Sequence, residues 1–287
     1  MNEMPEIAGL RDYPLARRGF VMSSLISGFT LATARVQAQA IRTDSAGLDA
    51  RETMVAVADG QMPTYVANPQ GGGPFPTILV IEEIFGVHEY IKDVCRRLAK
   101  AGYLALAPEL YARIADLSKM TNSAQIFRDV IAKAPDATVL SDLDSAASWA
   151  TSHGGDANRL GVMGFCRGGR DTWLYAEHNA RLRAAVAWYG PVVSDRTPIQ
   201  PQAPIDLAGE LKCPLLGLYG GQDASIKAED VQVAAAKARA AGKQVEIQVY
   251  PDAPHGFHAD YRPSYRQADA EDGWKRALAW FKQHGVG

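Results

Sequence analysis

A cysteine flanked by glycines is the first residue in this sequence whose type and setting suggest catalysis. Cys166 lies within the segment GFCRGG, residues 164–169, after an apolar run that predicts a buried strand and before a stretch that predicts a helix. The pattern matches the nucleophile elbow G-x-S-x-G, with cysteine in place of serine. In so sharp a turn, a Cβ at Gly164 or Gly168 is expected to collide with backbone, and the sulfur is expected to stand exposed above the sheet. The amino end of the helix would favour a thiolate there.

A second interpretation of the same hexapeptide remains open at this point. Glycines around a cysteine also occur in an ordinary tight strand-to-helix turn, and a buried cysteine is common as a small apolar packing residue. The choice depends on whether partners for the sulfur exist elsewhere in the chain.

Two such partners follow later predicted strands, in the order that the elbow fold uses: nucleophile, acid, histidine. Asp223 comes after a strand at 215–219, and His255 comes after a strand at 245–249. The carboxyl ends of parallel strands share one edge of a sheet, so all three groups are expected there. A thiol with an ordinary pKa of about 8.5 needs a base beside it. His255 would take its proton, and Asp223 would orient the imidazole.

An oxyanion formed at the cysteine would need two preorganised backbone amides. One is expected to be the N–H of Arg167, directly after the nucleophile. The other is expected in the loop after the apolar strand at 77–81, at Glu83 or at Ile84.

The elements that must position these groups alternate between strands and helices through most of the chain. This alternation predicts an α/β fold: one mostly parallel, twisted sheet with helices on both faces. An N-terminal antiparallel hairpin, with strands at 53–58 and 62–67 and an Asp-Gly turn between them, is expected to add edge strands. We see no internal boundary and predict a single domain over residues 41–287.

Composition limits the classes of partner. The 287 residues carry a net charge of −2, which gives no electrostatic case for nucleic acid or for an anionic membrane. Three cysteines do not suggest a disulfide framework. Cys95 and Cys213 are interpreted as buried packing residues, although a bond between them stays open. No metal-ligand cluster and no cofactor motif is evident.

The first forty residues predict an export signal rather than part of the fold. Arg17 and Arg18 precede a mildly apolar stretch, and an A-x-A cleavage pattern ends at Ala40. The paired arginines resemble a twin-arginine signal, with departures at Ala16 and Met22. We therefore expect a periplasmic or secreted protein with no membrane segment once the signal is removed, or a cytoplasmic one if the leader is not processed. The alternative is an amphipathic helix or a disordered tail.

Several segments together resemble the dienelactone hydrolases (carboxymethylenebutenolidases), a branch of the α/β-hydrolases that uses cysteine in the elbow. The matching segments are IEEIFGV at 81–87, APELYAR at 107–113, GVMGFCRGG at 161–169, YGGQD at 219–223 and PHGF at 254–257. The resemblance implies that Cys166 is the nucleophile, with Asp223 and His255 as its triad partners. It implies that Glu83 is the family's active-site glutamate, which exchanges a proton with the thiol. It also implies an oxyanion hole formed by the amides of Ile84 and Arg167, and hydrolysis of an ester or enol-lactone through a thioester, without a cofactor.

The sequence departs from that family where the substrate would be held. Four residues after His255, where a carboxylate-binding arginine is expected, lies Ala259, and Arg262 is the nearest candidate. Tyr111 and Trp188, at strand exits, are candidates for lining an apolar acyl pocket or for the core. We therefore expect a small-molecule ester or lactone as substrate and a monomer or small homo-oligomer. The alternatives are a broad-specificity carboxylesterase, a peptidase-like acyl hydrolase, or a non-catalytic binding protein on the same scaffold.

Overall fold

A computed structural model of the chain describes residues 41–287. The predicted export signal at residues 1–40 lies outside the described residues. The described part contains eight strands: β1 (Leu48–Val57), β2 (Gly60–Pro69), β3 (Phe75–Ile81), β4 (Leu104–Pro108), β5 (Gly155–Phe165), β6 (Leu182–Trp188), β7 (Leu215–Gly220) and β8 (Val245–Tyr250). It also contains seven α-helices: α1 (Glu89–Lys100), α2 (Ser123–Asp129), α3 (Asp136–Ser152), α4 (Arg167–His178), α5 (Pro204–Leu207), α6 (Ala228–Ala240) and α7 (Gln267–Gln283).

The strands form one sheet in the order β1-β2-β4-β3-β5-β6-β7-β8. The first two strands pair antiparallel with each other, and β2 also pairs antiparallel with β4. Every later pairing is parallel. The predicted α/β architecture with an antiparallel hairpin at one edge is therefore confirmed. The hairpin register pairs Val57 with Gly60, so Ala58 and Asp59 form the turn, one residue earlier than the predicted Asp-Gly pair.

The central strands are apolar at consecutive positions because both of their faces are covered. All five residues of β4 are buried, as are the last five of β3. Successive side chains of a strand point to opposite faces, so this burial requires helices on both sides of the sheet. Helix α1 packs on β2 and β4, while α4 packs on β5 and β6.

The parallel register brings the strand exits level along one edge of the sheet. Ile81 of β3 lies opposite Gly164 of β5, which in turn lies opposite Ala187 of β6. Trp188 of β6 lies opposite Leu218 of β7. Residues that directly follow these strands therefore meet at one edge, which is where ligand sites form in open α/β sheets.

Candidate active site

The turn after β5 holds Cys166 in a conformation that few residues adopt. Its backbone has φ 56° and ψ −115°, a strained region for a residue with a side chain, and such strain costs on the order of 1–3 kcal/mol. The two glycines predicted to be obligatory are so. A Cβ on Gly164 would lie 2.2 Å from the Gly168 carbonyl oxygen, and one on Gly168 would lie 2.4 Å from the carbonyl oxygens of Ile81 and Glu82. The close packing of α4 on β3 and β5 thus requires both glycines.

The sulfur is less accessible than the elbow pattern predicts. The expectation that it stands exposed above the sheet is wrong, since Cys166 is only 1% exposed. The residue nevertheless contributes to the wall of a cavity of about 160 Å³, and His255 contributes to the same wall. A cysteine and a histidine separated by 89 positions in the sequence are thereby brought to one cavity.

The imidazole of His255 is held by Asp223, as the strand-exit argument predicts for those two residues. The Nδ1 atom of His255 donates to Oδ2 of Asp223 at 2.6 Å, and both side chains are buried. The other oxygen of Asp223 accepts the backbone N–H groups of Ser225 and Ile226 at 2.9 and 3.1 Å. Burial opposes ionisation of Asp223, but His255 and these donors keep its pKa below the ordinary value. A fixed carboxylate therefore directs the other ring nitrogen of His255 away from Asp223.

A second acid–base cluster surrounds Glu83, directly after β3. Its Oε2 accepts from Arg262 Nη2 at 2.9 Å and from the Tyr261 hydroxyl at 2.6 Å, and His88 Nε2 lies at 3.6 Å. Burial alone would raise the pKa of Glu83, but the Arg262 guanidinium, with His88 and Tyr261, lowers it to about 2. Glu83 is therefore a buried carboxylate at neutral pH.

The resting sulfur is a thiol. Burial raises the pKa of Cys166 well above its ordinary value, and the negative charge of Glu83 raises it further. Arg262 and the backbone N–H of Arg167 oppose this shift without cancelling it. The helix terminus alone therefore does not produce a thiolate, contrary to the expectation from the elbow pattern.

The amides predicted for an oxyanion hole lie on two segments in direct contact. The backbone N–H of Arg167 hydrogen-bonds towards the Cys166 sulfur and lowers the pKa of this thiol. Ile84 is fully buried in the loop after β3, two residues beyond the Glu82 carbonyl that touches Gly168. The Arg167 guanidinium pairs with Asp136 and Asp171.

Two candidates for substrate binding lie in the core instead. The Tyr111 hydroxyl donates to Asp171 Oδ2 at 3.0 Å, and the Tyr111 side chain is fully buried. Trp188 packs against Phe165 and His258, and it too is fully buried. Neither lines the cavity that Cys166 and His255 share. The third candidate, Arg262, is committed to Glu83.

Comparison with known proteins assigns the chain to a family. The family model described as the dienelactone hydrolase family matches residues 62–285. The chain belongs to the dienelactone hydrolase family. It is 56% identical over 274 residues to a Methylorubrum extorquens protein named "Putative carboxymethylenebutenolidase", covering 95% of this chain and 94% of that protein. It is 51% identical over 260 residues to an Escherichia coli protein of the same name, covering 90% and 96%.

A solved structure shows the same fold. The crystal structure titled as a putative dienelactone hydrolase from Klebsiella pneumoniae superposes with a TM-score of 0.81 at 52% identity. The match covers 82% of this chain and 99% of that one. Membership of the dienelactone hydrolase family makes the chain a hydrolase with an α/β-hydrolase fold.

Sequence reasoning missed two residues of this dienelactone hydrolase site. Tyr261 contacts Glu83 across 178 positions of sequence, and His88 Nε2 lies 3.6 Å from the same carboxylate. The available signal was the Tyr-Arg pair shortly after His255, which places two polar groups in the loop beyond the triad histidine. His258, by contrast, belongs to the core: it contacts the Tyr90 hydroxyl at 2.6 Å, and burial lowers its pKa to about 3.

Other features of the described residues have no direct catalytic role. Cys95 and Cys213 are free and buried, so the disulfide left open by the sequence is not formed. Between residues 41 and 287, no group of three or more His, Cys, Asp or Glu side chains is arranged to hold a metal ion. No helix within that range combines the length and apolar composition needed to cross a membrane.

Proposed function

We propose that this chain hydrolyses carboxylic esters, enol-lactones included, through a cysteine acyl-enzyme. Cys166 would be the nucleophile, His255 the general base and acid, and Asp223 the group that orients the imidazole. The observation that carries the proposal is the shared cavity: a strained elbow cysteine and an Asp-paired histidine line the same cavity wall. Backbone strain of this kind clusters at active sites and ligand clamps, so the conformation of Cys166 supports a functional role for this residue.

The first step transfers the thiol proton and forms a carbon–sulfur bond. Because the pKa of Cys166 is raised, the proton leaves only when a base accepts it as the substrate binds. His255 takes the proton, and the sulfur attacks the ester carbonyl carbon. The carbonyl oxygen becomes an oxyanion that the amides of Arg167 and Ile84 would stabilise.

The intermediate then collapses in two stages. The carbon–oxygen bond to the alcohol breaks, His255 returns the proton to the departing oxygen, and a thioester on Cys166 remains. A water molecule then loses a proton to His255 and attacks the thioester carbonyl. The carbon–sulfur bond breaks, and His255 returns that proton to the sulfur. The net products are a carboxylic acid and an alcohol, so the cycle consumes one ester and one water and restores the thiol.

The Glu83–Arg262 pair supports this cycle by controlling charge at the sulfur. The Glu83 carboxylate raises the pKa of Cys166, which keeps the nucleophile protonated and less prone to oxidation at rest. A substrate that drew Arg262 away from Glu83 would free that carboxylate to accept the thiol proton. The family resemblance implies this second route, and the contacts of Glu83 are compatible with it.

A comparison of two cysteine variants tests the proposal. Turnover of 4-nitrophenyl acyl esters and of a cis-dienelactone should be lost in Cys166→Ala, by a factor of at least about 10³. The matched control is Cys213→Ala, which also removes a buried free thiol but one outside the cavity, and should leave turnover within about twofold. Unchanged turnover in Cys166→Ala, or no turnover of any ester or lactone by the wild type, would refute the cysteine mechanism.

A further inference from the structure

The cavity beside Cys166 has a wall made mainly of carbon. Away from the nucleophile and His255, its apolar lining comes from side chains of α2, of the turn after it and of two loops at the strand exits. These residues are Phe127, Ile131, Ala132, Pro191, Val193 and Ile226. A substrate group that enters this space exchanges water for hydrocarbon, which favours an apolar group over a polar one.

The two arginines in this wall are already paired with carboxylates, so neither guanidinium is available to bind a substrate. Arg170 donates to both oxygens of Asp136, at 2.8 and 2.9 Å, and to Asp171 at 3.0 Å. Arg167 reaches Asp136 at 3.3 Å and Asp171 at 3.2 Å. Two guanidinium groups thus face two carboxylates, and the cluster is neutral as a whole. A carboxylate pushed against it would have to displace a buried ion pair, which is costly.

Arg262, whose positive charge lowers the pKa of Cys166, is also paired with a carboxylate. Arg262 pairs with Glu83 at 2.9 Å, is 1% exposed in its side chain, and is not part of the cavity wall. Asp195, an exposed residue that does line the cavity, adds a negative charge at its rim. The electrostatic surroundings of the cavity therefore disfavour an anionic group.

The volume of the cavity limits the size of its occupant. At about 160 Å³ it is similar to an apolar protein cavity of about 150 Å³ that accommodates one benzene molecule. A phenyl ring or a branched alkyl group of about six carbons fills such a space.

We propose that one of the two groups flanking the scissile carbonyl occupies this cavity and is uncharged and apolar, about the size of a phenyl ring. The preferred substrates are then neutral esters rather than carboxylate-bearing lactones. This inference rests on the proposed function, because it takes the cavity as the place where an ester meets Cys166.

Two matched pairs of esters test the inference, each differing in charge but little in shape. The first varies the acyl side: 4-nitrophenyl 5-methylhexanoate against the 4-nitrophenyl monoester of glutarate. The second varies the alcohol side: 4-acetylphenyl against 4-carboxyphenyl acetate. In at least one pair, kcat/KM for the neutral member should be about 100-fold higher, since differences of one methylene already give 10–200-fold. Spontaneous hydrolysis is subtracted using Cys166→Ala.

A substitution at the edge of the cavity then tests whether charge in the cavity causes the preference for the neutral ester. Ala132 is exposed and lines the cavity, so Ala132→Arg adds a cation there with little risk to folding. It should reduce the preference for the neutral ester about tenfold. Ala236→Arg, on the exposed side of α6 and outside the cavity wall, makes the same change in net charge and should leave the preference unaltered.

The outcomes separate the inference from the function beneath it. A preference for the neutral ester below tenfold in both pairs overturns the inference, and so does a preference that Ala132→Arg leaves unchanged. In both cases turnover still depends on Cys166, and the proposed hydrolase stands. Loss of all turnover, or turnover independent of Cys166, would instead remove the proposed function itself.

Discussion

Two glutamates that are adjacent in the chain lie in opposite electrostatic environments. Glu82 and Glu83 directly follow β3, and both side chains are fully buried. Burial raises the pKa of Glu82 well above its ordinary value, and the nearby carboxyl of Glu109 raises it further. The pKa of Glu83 is instead lowered to about 2, chiefly by Arg262 acting against the cost of burial.

The difference follows from the partners that each side chain meets. Glu82 contacts the segment that follows β4, and Glu83 contacts the loop after His255. Glu82 accepts the backbone N–H of Leu110 at 3.0 Å and has acidic neighbours. Glu83 has a guanidinium and a tyrosine hydroxyl. Equal burial thus produces a neutral acid on one side and a carboxylate on the other, and the partner decides which.

The largest expected effect comes from removing the Arg262 cation that pairs with Glu83. Arg262→Met leaves the Glu83 carboxylate buried without its counter-charge, and loss of one partner of a buried pair typically costs about 3–5 kcal/mol. Urea unfolding at pH 7 measures the loss. Adding Glu83→Gln to this variant should recover part of it, because the stranded charge is gone. A loss under about 1 kcal/mol in Arg262→Met would show that the pair is not what holds Glu83 ionised.

The pH dependence of stability should differ in sign between the two glutamates. Glu83 has a pKa of about 2 in the folded state and 4.5 as its ordinary value, so its contribution is complete above pH 4.5 and is lost as pH falls towards 2. Between pH 5 and pH 3 this should remove about 2 kcal/mol of unfolding free energy. The raised pKa of Glu82 works oppositely: its contribution is present below pH 4.5 and declines as pH rises.

Unfolding free energies measured from pH 3 to pH 8 test this predicted pH dependence of stability. The double variant Arg262→Met/Glu83→Gln should lose about 2 kcal/mol less than the wild type between pH 5 and pH 3. Equal losses in both proteins would mean that Glu83 does not titrate in that window and that other carboxyls account for the acid sensitivity.

The sequence predicted the fold and the order of the functional groups because these depend on local patterns. Apolar runs, turn glycines and the position of Cys166 after a strand are visible within about ten residues. The charge state of the site is not visible in this way, since Arg262 lies 179 positions from Glu83 and meets it only in the folded chain. The same limit applies to Trp188, whose burial against His258 depends on how α7 and the loop after β8 pack.

The burial of Cys166 could also not be predicted from the sequence. The elbow pattern specifies a sharp turn at Cys166 but says nothing about the segments that cover it. The cavity wall comes from α2 and from the loop after β6, two regions with weak periodicity. Such regions are positioned by contacts with the completed sheet, so their effect on the thiol pKa emerges only at the tertiary level.

A smaller effect is expected from removing the Tyr261 hydroxyl, which bridges Glu83 and Arg262. Tyr261 donates to Glu83 at 2.6 Å and accepts from Arg262 Nε at 2.8 Å. Tyr261→Phe removes both hydrogen bonds while the ion pair remains, so we expect a loss of about 1.5–2 kcal/mol in urea unfolding. The matched control is Tyr265→Phe, a partly exposed tyrosine in the same loop, which should cost under about 0.5 kcal/mol. Equal losses would indicate that ring packing, not the hydroxyl, supports Glu83.

The smallest effect should come from substituting Glu82, the glutamate that is a neutral acid. Glu82→Gln replaces a protonated carboxyl by an amide of the same shape, whose oxygen still accepts the Leu110 N–H and whose NH₂ can donate to Glu109. Unfolding free energy at pH 4, where Glu82 is largely protonated in the folded and unfolded chain, should therefore change by less than about 0.5 kcal/mol, whereas Glu83→Gln in the same assay strands the Arg262 charge and should cost about 3 kcal/mol or more. If the two substitutions cost the same, both glutamates carry the same charge, and the contrast between the two sides of this loop cannot be assigned to their partners.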